Sequence, residues 1–203
     1  MGRAEDDDDE RGGSDRLMAE LTGTDGEGWG TDLTTVLEAM DAATARPETD
    51  VLLERLIGTW DVEGSWVIRV DRPPVKVGGR TENRWILFGR FVQSDTFPTA
   101  DATEPSSTVI FGYDPRAEDY FAFAVNALNR HYDIEHGAHD VEADALLLRG
   151  DEVVLPGRRV LRFVRTVAFV DPDRIDVSIS FPDEPDQEKL GGIEITWRRR
   201  TSP

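Results

Sequence analysis

From Gly58 onward the chain alternates between apolar and polar positions with a period of two. Trp60, Val62, Gly64, Trp66, Ile68 and Val70 fall on one face, and Asp61, Glu63 and Arg69 fall on the other. Successive side chains of a strand point to opposite sides, so this pattern predicts a long half-buried strand. Near the C-terminus Val177, Ile179 and Phe181 alternate with Asp176, Ser178 and Ser180, and Ile193, Ile195 and Trp197 alternate with Glu194, Thr196 and Arg198. Between these segments the pattern predicts strands near 75–88, 90–97, 107–113, 118–125, 129–136, 141–148, 158–169, 174–181 and 190–199. Turn signals separate them at Asp71-Arg72-Pro73-Pro74, Gly89, Asp114-Pro115, Gly137, Gly150-Asp151, Asp171-Pro172-Asp173 and Pro182-Asp183-Glu184-Pro185. About ten strands with no helix between them fit a sandwich or a barrel. The expected fold is all-β: a single closed antiparallel up-and-down barrel with one wet and one apolar face per strand.

Upstream the period is helical. Leu33, Val36, Leu37 and Met40 follow Asp32, a residue suited to an N-cap, at i, i+3, i+4 and i+7 spacing, which predicts a helix over 32–45 ended by Arg46-Pro47. A second helix is expected from Thr49 or Asp50. Its stripe is Leu52, Leu53, Leu56 and Ile57, and Gly58 stops it. Residues 1–30 hold ten acidic and three basic side chains and only two leucines. Such a segment cannot bury enough apolar surface to offset its ordering entropy, so it reads as a disordered acidic tail. The expected organisation is a tail over 1–30, a helix and linker over 31–49, and a barrel domain over 50–201.

Charge and composition narrow the function classes. The net charge of −18 argues against nucleic acid and anionic membrane surfaces as partners. With no cysteine, disulfides, thiolate nucleophiles and iron–sulfur clusters are excluded. No secretory signal pattern and no bilayer-length apolar run is visible, so the expected location is cytoplasmic.

Three segments, taken in order, carry a family resemblance. They are Leu53-Glu54-Arg55-Leu56-Ile57-Gly58-Thr59-Trp60, then Phe111-Gly112-Tyr113-Asp114-Pro115 followed by Tyr120 and His131 to Gly137, and last Ile193-Glu194-Ile195-Thr196-Trp197-Arg198-Arg199. Together they resemble the family called domain of unknown function 1579, over about residues 50–200. The resemblance implies a calycin-like barrel, akin in shape to lipocalins, and no particular activity. It further implies that Gly58 and Trp60 are structural, with an arginine of the last strand, Arg198 or Arg199, laid across the indole. A guanidinium on an indole face is a favourable cation–π contact.

Candidate chemistry is sparse. His131, His136 and His139 lie close together with Asp133, Glu135 and Asp140. On a strand, however, His131 and His136 face opposite sides, so no metal site is expected. Simple alternation puts Tyr132 and Ile134 inside and His131 outside, whereas the resemblance favours a functional histidine at this point. His131 is therefore the leading polar candidate, able to exchange hydrogen bonds or act as a base near neutral pH. Arg165 is the odd residue among Leu161, Phe163, Val167 and Phe169. It is either a counter-charge for an anionic ligand or, more simply, a snorkelling stem. Trp85, Tyr132 and Gln93 complete the candidate ligand-binding set. No nucleophile elbow, P-loop or dinucleotide fingerprint occurs, and no cofactor is expected.

The leading functional expectation is a barrel that binds a small apolar or amphipathic molecule in its interior. The alternatives are an enzyme with an acid–base site at His131 and Asp133, and a filled barrel that serves as an interaction module. In the last case the 32–45 helix offers a surface for a second copy of the chain, as in a homodimer.

Overall fold

The computed structural model describes residues 47–128, 130–154, 159–183 and 190–201. The expected acidic tail and the 32–45 helix lie outside the described residues. The described chain is one short helix, α1 (Pro47–Glu54), followed by ten strands. These are β1 (Gly58–Arg69), β2 (Val75–Ile86), β3 (Phe91–Phe97), β4 (Ser107–Asp114) and β5 (Asp119–Asn126), then β6 (Tyr132–Asp140), β7 (Ala145–Val154), β8 (Arg159–Asp171), β9 (Arg174–Ser180) and β10 (Leu190–Arg199). Every strand pairs antiparallel with its sequence neighbours, and β1 pairs with β10, so the sheet closes into a barrel. Closure leaves no open edge. Around the ring β6 is five steps from β1 in either direction, so the two strands face each other across the lumen.

Helix α1 begins earlier and ends earlier than its apolar stripe suggests. Proline is tolerated in a first helical turn because that turn's N–H has no intrahelical partner, so Pro47 starts the helix. The chain then tightens. Arg55, Leu56 and Ile57 donate their N–H groups to the carbonyls of Leu52, Leu53 and Glu54, three residues back, which ends the helix in a tighter 3₁₀-like turn before Gly58. Leu52, Leu53 and Leu56 sink into a core with Trp60, Phe111, Tyr120, Leu146, Phe169 and Ile175, so α1 closes one end of the barrel.

At that end the Gly-x-Trp sequence acts as a clasp. Gly58 has φ +129, a region L side chains rarely adopt, and a Cβ there would lie 2.6 Å from Arg199 Nη1. The Arg199 guanidinium stacks 4.0 Å from the Trp60 ring centre. Its Nη1 donates to the Ile57 carbonyl at 2.8 Å and its Nε to the Pro172 carbonyl at 3.0 Å. The indole Nε1 and Asn83 Nδ2 both donate to the Leu56 carbonyl, at 2.9 and 2.8 Å. These bonds occupy carbonyls that the helix end leaves without intrahelical partners. Arg199, not Arg198, crosses the tryptophan. The register explains the choice: Arg199 is opposite Trp60 and shares its face, while Arg198 is opposite Asp61, turns outward and reaches Glu63.

Strands β6 and β7 start and end three to six residues later than the turn signals predict. Gly137 and Gly150-Asp151 are not turns. Gly137 sits within β6 opposite Leu148, where a Cβ would meet the Leu147 carbonyl oxygen at 1.8 Å. Gly150 sits within β7, under the Phe163 ring. The true turn is Val141 to Asp144, which Asp140 stabilises by accepting from the N–H groups of Glu142 and Ala143, with Asp144 at φ 48.

Candidate functional site

Strands β5 and β6 reverse the usual sidedness of a barrel. Directly opposed residues of antiparallel strands share a face, and the pairs here are Ala122 with Glu135, Ala124 with Asp133, and Val125 with Tyr132. Ala122 and Glu135 are fully buried, whereas Tyr132 is 62% and Ile134 49% exposed. The bulky apolar residues Phe123, Tyr132 and Ile134 therefore lie on the outer wall, where the Phe123 and Tyr132 rings pack at 5.5 Å. The lumen receives small or polar groups: Ala122, Ala124, Gly137, His131, Asp133 and Glu135. Alternation by hydrophobicity puts Tyr132 inside and His131 outside, and the structure has them the other way round. Small residues on β5 leave the space that the inward carboxylates occupy.

Glu135 is the centre of the cluster. It is wholly buried and grips Arg165 of β8: Arg165 Nε donates to Glu135 Oε2 at 2.7 Å and Nη2 to Oε1 at 2.8 Å. This fork-to-fork geometry gives two charge-assisted bonds. Burial works against the Arg165 charge, but Glu135 and, more weakly, Asp133 outweigh it, so its pKa is raised and it stays protonated. Arg165 is thus neither a snorkelling stem nor a free counter-charge, because its partner is built into the barrel. The sequence offers one signal for Glu135: a lone inward arginine on an apolar strand requires a carboxylate, and Glu135 has the same strand parity as His131 and Asp133.

Asp133 lies toward the other end of the barrel from α1. Desolvation is the main cause of its raised pKa; Glu135 adds repulsion, while His131 and Arg165 pull the other way. Two carboxylates thus face one guanidinium, with the His131 imidazole beside them.

Accessibility along the lumen is graded. Next to α1 the inward side chains Trp60, Leu146, Val167 and Ile175 are almost completely buried. Toward the opposite end Trp66, Asn126, His131, Asp133, Ile179, Ile193 and Ile195 are all partly exposed. Exposure of the inward side chains thus rises toward the end away from α1. The walls of this more exposed, open half differ: Trp66, Ile193, Ile195 and Ile179 line β1, β10 and β9, and Asp133 stands on the opposing β6 with His131 just before that strand.

The remaining candidates lie elsewhere. Trp85 is at the α1 end, where its Nε1 donates to Glu54 and its ring packs on the core, so it ties down the helix and is not part of the open half. Gln93 points outward. It donates to both carboxylate oxygens of Asp95, at 3.0 and 2.9 Å, on the outer wall. Burial raises the Asp95 pKa, but bonds from Gln93, Thr108 and Arg84 more than offset it, and the group titrates below its ordinary range. Tyr132 borders an external groove of about 430 Å³ with Ile134, His136, Arg149 and Arg162. His136 also faces outward, toward Asp119, and His139 turns to Asp144 in the β6–β7 turn. Among the described residues no group of three or more His, Asp or Glu side chains is arranged to hold a metal ion, and no helix is long and apolar enough to cross a membrane.

Comparison with curated proteins found no match. The family model described as protein of unknown function (DUF1579) matches residues 47–199, from the first residue of α1 to the last of β10, and the closed barrel fits a calycin-like assignment. The arginine-crossed Gly58–Trp60 clasp and the ten-strand ring thus both lie inside the matched region, and the chain belongs to the DUF1579 family.

Proposed function

We propose that the barrel binds a small amphipathic molecule in its open half. One observation carries the reading: partly exposed apolar side chains on β1, β9 and β10 lie across the lumen from the partly exposed Asp133 of β6 and from His131 just before it. Binding sites for small molecules combine an apolar wall with a few placed polar groups. An apolar tail would lie along Trp66, Ile179, Ile193 and Ile195, and a polar head would meet Asp133 and His131. The external groove is a weaker site, because its Arg149 is already paired with Asp183 at 3.1 Å.

The test is calorimetric titration of the full chain with ten-carbon amphiphiles below their aggregation limits. Saturable binding of 1-decanol is expected. Trp66→Asp places a charge on the apolar wall and should weaken binding at least tenfold. Failure of decanol, decylammonium and decanoate alike to bind would overturn the proposal.

A further inference from the structure

Charge balance in the lumen points to the kind of head group. The Arg165 guanidinium is the cation that would draw a fatty carboxylate into a barrel of this shape. Here Glu135 already holds its Nε and Nη2. Glu135 is fully buried and takes both bonds, so the pair neutralises itself. Asp133 remains: it faces the lumen opposite Ala124, is partly exposed, and has no arginine of its own. Its neighbours are the imidazole of His131, the shared guanidinium and the repelling carboxylate of Glu135.

Resting on the binding reading above, we propose that the polar wall selects an amphiphile with a protonated amine head, which pairs with Asp133, and rejects carboxylates. An ammonium would supply the positive charge that this corner lacks. A carboxylate would set a second negative charge beside Asp133, in a setting that screens charge less than bulk water does.

Decylammonium, 1-decanol and decanoate share a tail and differ in the head, so their affinities for the full chain at neutral pH decide the matter. The expected order is decylammonium, then decanol, then decanoate, with at least a tenfold step between amine and alcohol. The chain's net charge of −18 would attract any cation to its surface, so Asp133→Asn is the control that locates the effect. In that variant the amine should lose its tenfold advantage while decanol affinity stays unchanged. Glu135→Gln should free the guanidinium and raise decanoate affinity. Because that variant disrupts a buried ion pair, the near-isosteric Asp133→Asn carries the test by itself. Decanoate binding as tightly as decylammonium, or an amine preference that survives Asp133→Asn, would sink the proposal while decanol binding still stands. Binding of none of the three would instead overturn the binding reading itself.

Discussion

Glu135 and Arg165 lie on β6 and β8, with β7 between them, and meet inside the barrel through two parallel hydrogen bonds of 2.7 and 2.8 Å. Gly150 of β7 is what lets them reach: it is opposite Glu135 on one side and Phe163 on the other and has no side chain to fill the gap. Removing one partner of such a pair strands a buried charge, which costs about 3–5 kcal/mol, whereas replacing both with apolar groups of similar volume is often neutral. Glu135→Leu should therefore lower stability by about that amount, and adding Arg165→Met should restore most of it. Urea denaturation of the two single variants and the double variant checks the cycle. Additive losses would mean that the two groups do not depend on each other.

The clasp at the α1 end predicts coupling of a different kind. Gly58→Ala forces a Cβ into a positive-φ position and against Arg199 Nη1 at 2.6 Å, with an expected loss of about 1–3 kcal/mol. Arg199→Ala removes the stacking on Trp60 and the bond to the Ile57 carbonyl. With the guanidinium gone, part of the Gly58→Ala clash disappears, so the double variant should lose less than the sum of the singles. Chemical denaturation midpoints at constant slope measure the difference.

The sequence reveals the barrel because β1, β9 and β10 alternate cleanly and their turns are chemically explicit. Trp60, Val62, Trp197 and Val177 all face inward as that alternation requires. The site is harder to read because β5 and β6 break the rule that apolar means inside. In Phe121-Ala122-Phe123-Ala124 the aromatics are the obvious candidates for the core, yet Ala122 and Ala124 take the lumen and make room for Glu135 and Asp133. Gly137 and Gly150 look like turn residues for a similar reason. Their role is close contact between neighbours, and local sequence does not distinguish that from a bend. Arg165 shows as an anomaly on its own strand, but its partner lies 30 residues away, beyond the reach of local periodicity.

Acid should loosen the helix. Asp144 accepts from Arg55 Nη1 at 2.7 Å and Nη2 at 2.8 Å and meets His139 Nε2 at 3.3 Å, which ties the segment after α1 to the β6–β7 turn. The Arg55 bonds are the first cause, and they hold the Asp144 pKa down at about 2. A folded pKa below the unfolded one stabilises the fold above the unfolded value, near 4, and this contribution fades as pH falls toward 2. Both side chains are more than a third exposed, so screening limits the gain to about 0.5–1 kcal/mol. Wild type should melt above Asp144→Asn at pH 6, and the gap should close by pH 2. A gap that stays constant across that range would rule out the titration of Asp144 as its source.

The two glycines of β6 and β7 should respond unequally to alanine. At Gly137 a new Cβ would sit 1.8 Å from the backbone oxygen of Leu147, which cannot move without parting the strands, so Gly137→Ala should be severely destabilising. At Gly150 the obstacles are side-chain atoms: the Phe163 ring at 2.7 Å and Glu135 Cγ at 3.0 Å. A ring can yield where a backbone cannot, so Gly150→Ala should cost about 1–3 kcal/mol, within the range for overpacking a core. The cost should fall when Phe163→Leu is added, because the smaller side chain vacates the space the methyl needs. No such trade is available at Gly137. Thermal melts of Gly150→Ala with and without Phe163→Leu, beside Gly137→Ala, separate side-chain crowding from backbone contact. Equal losses at the two glycines, with no rescue by Phe163→Leu, would mean that Gly150 serves the backbone and not the lumen.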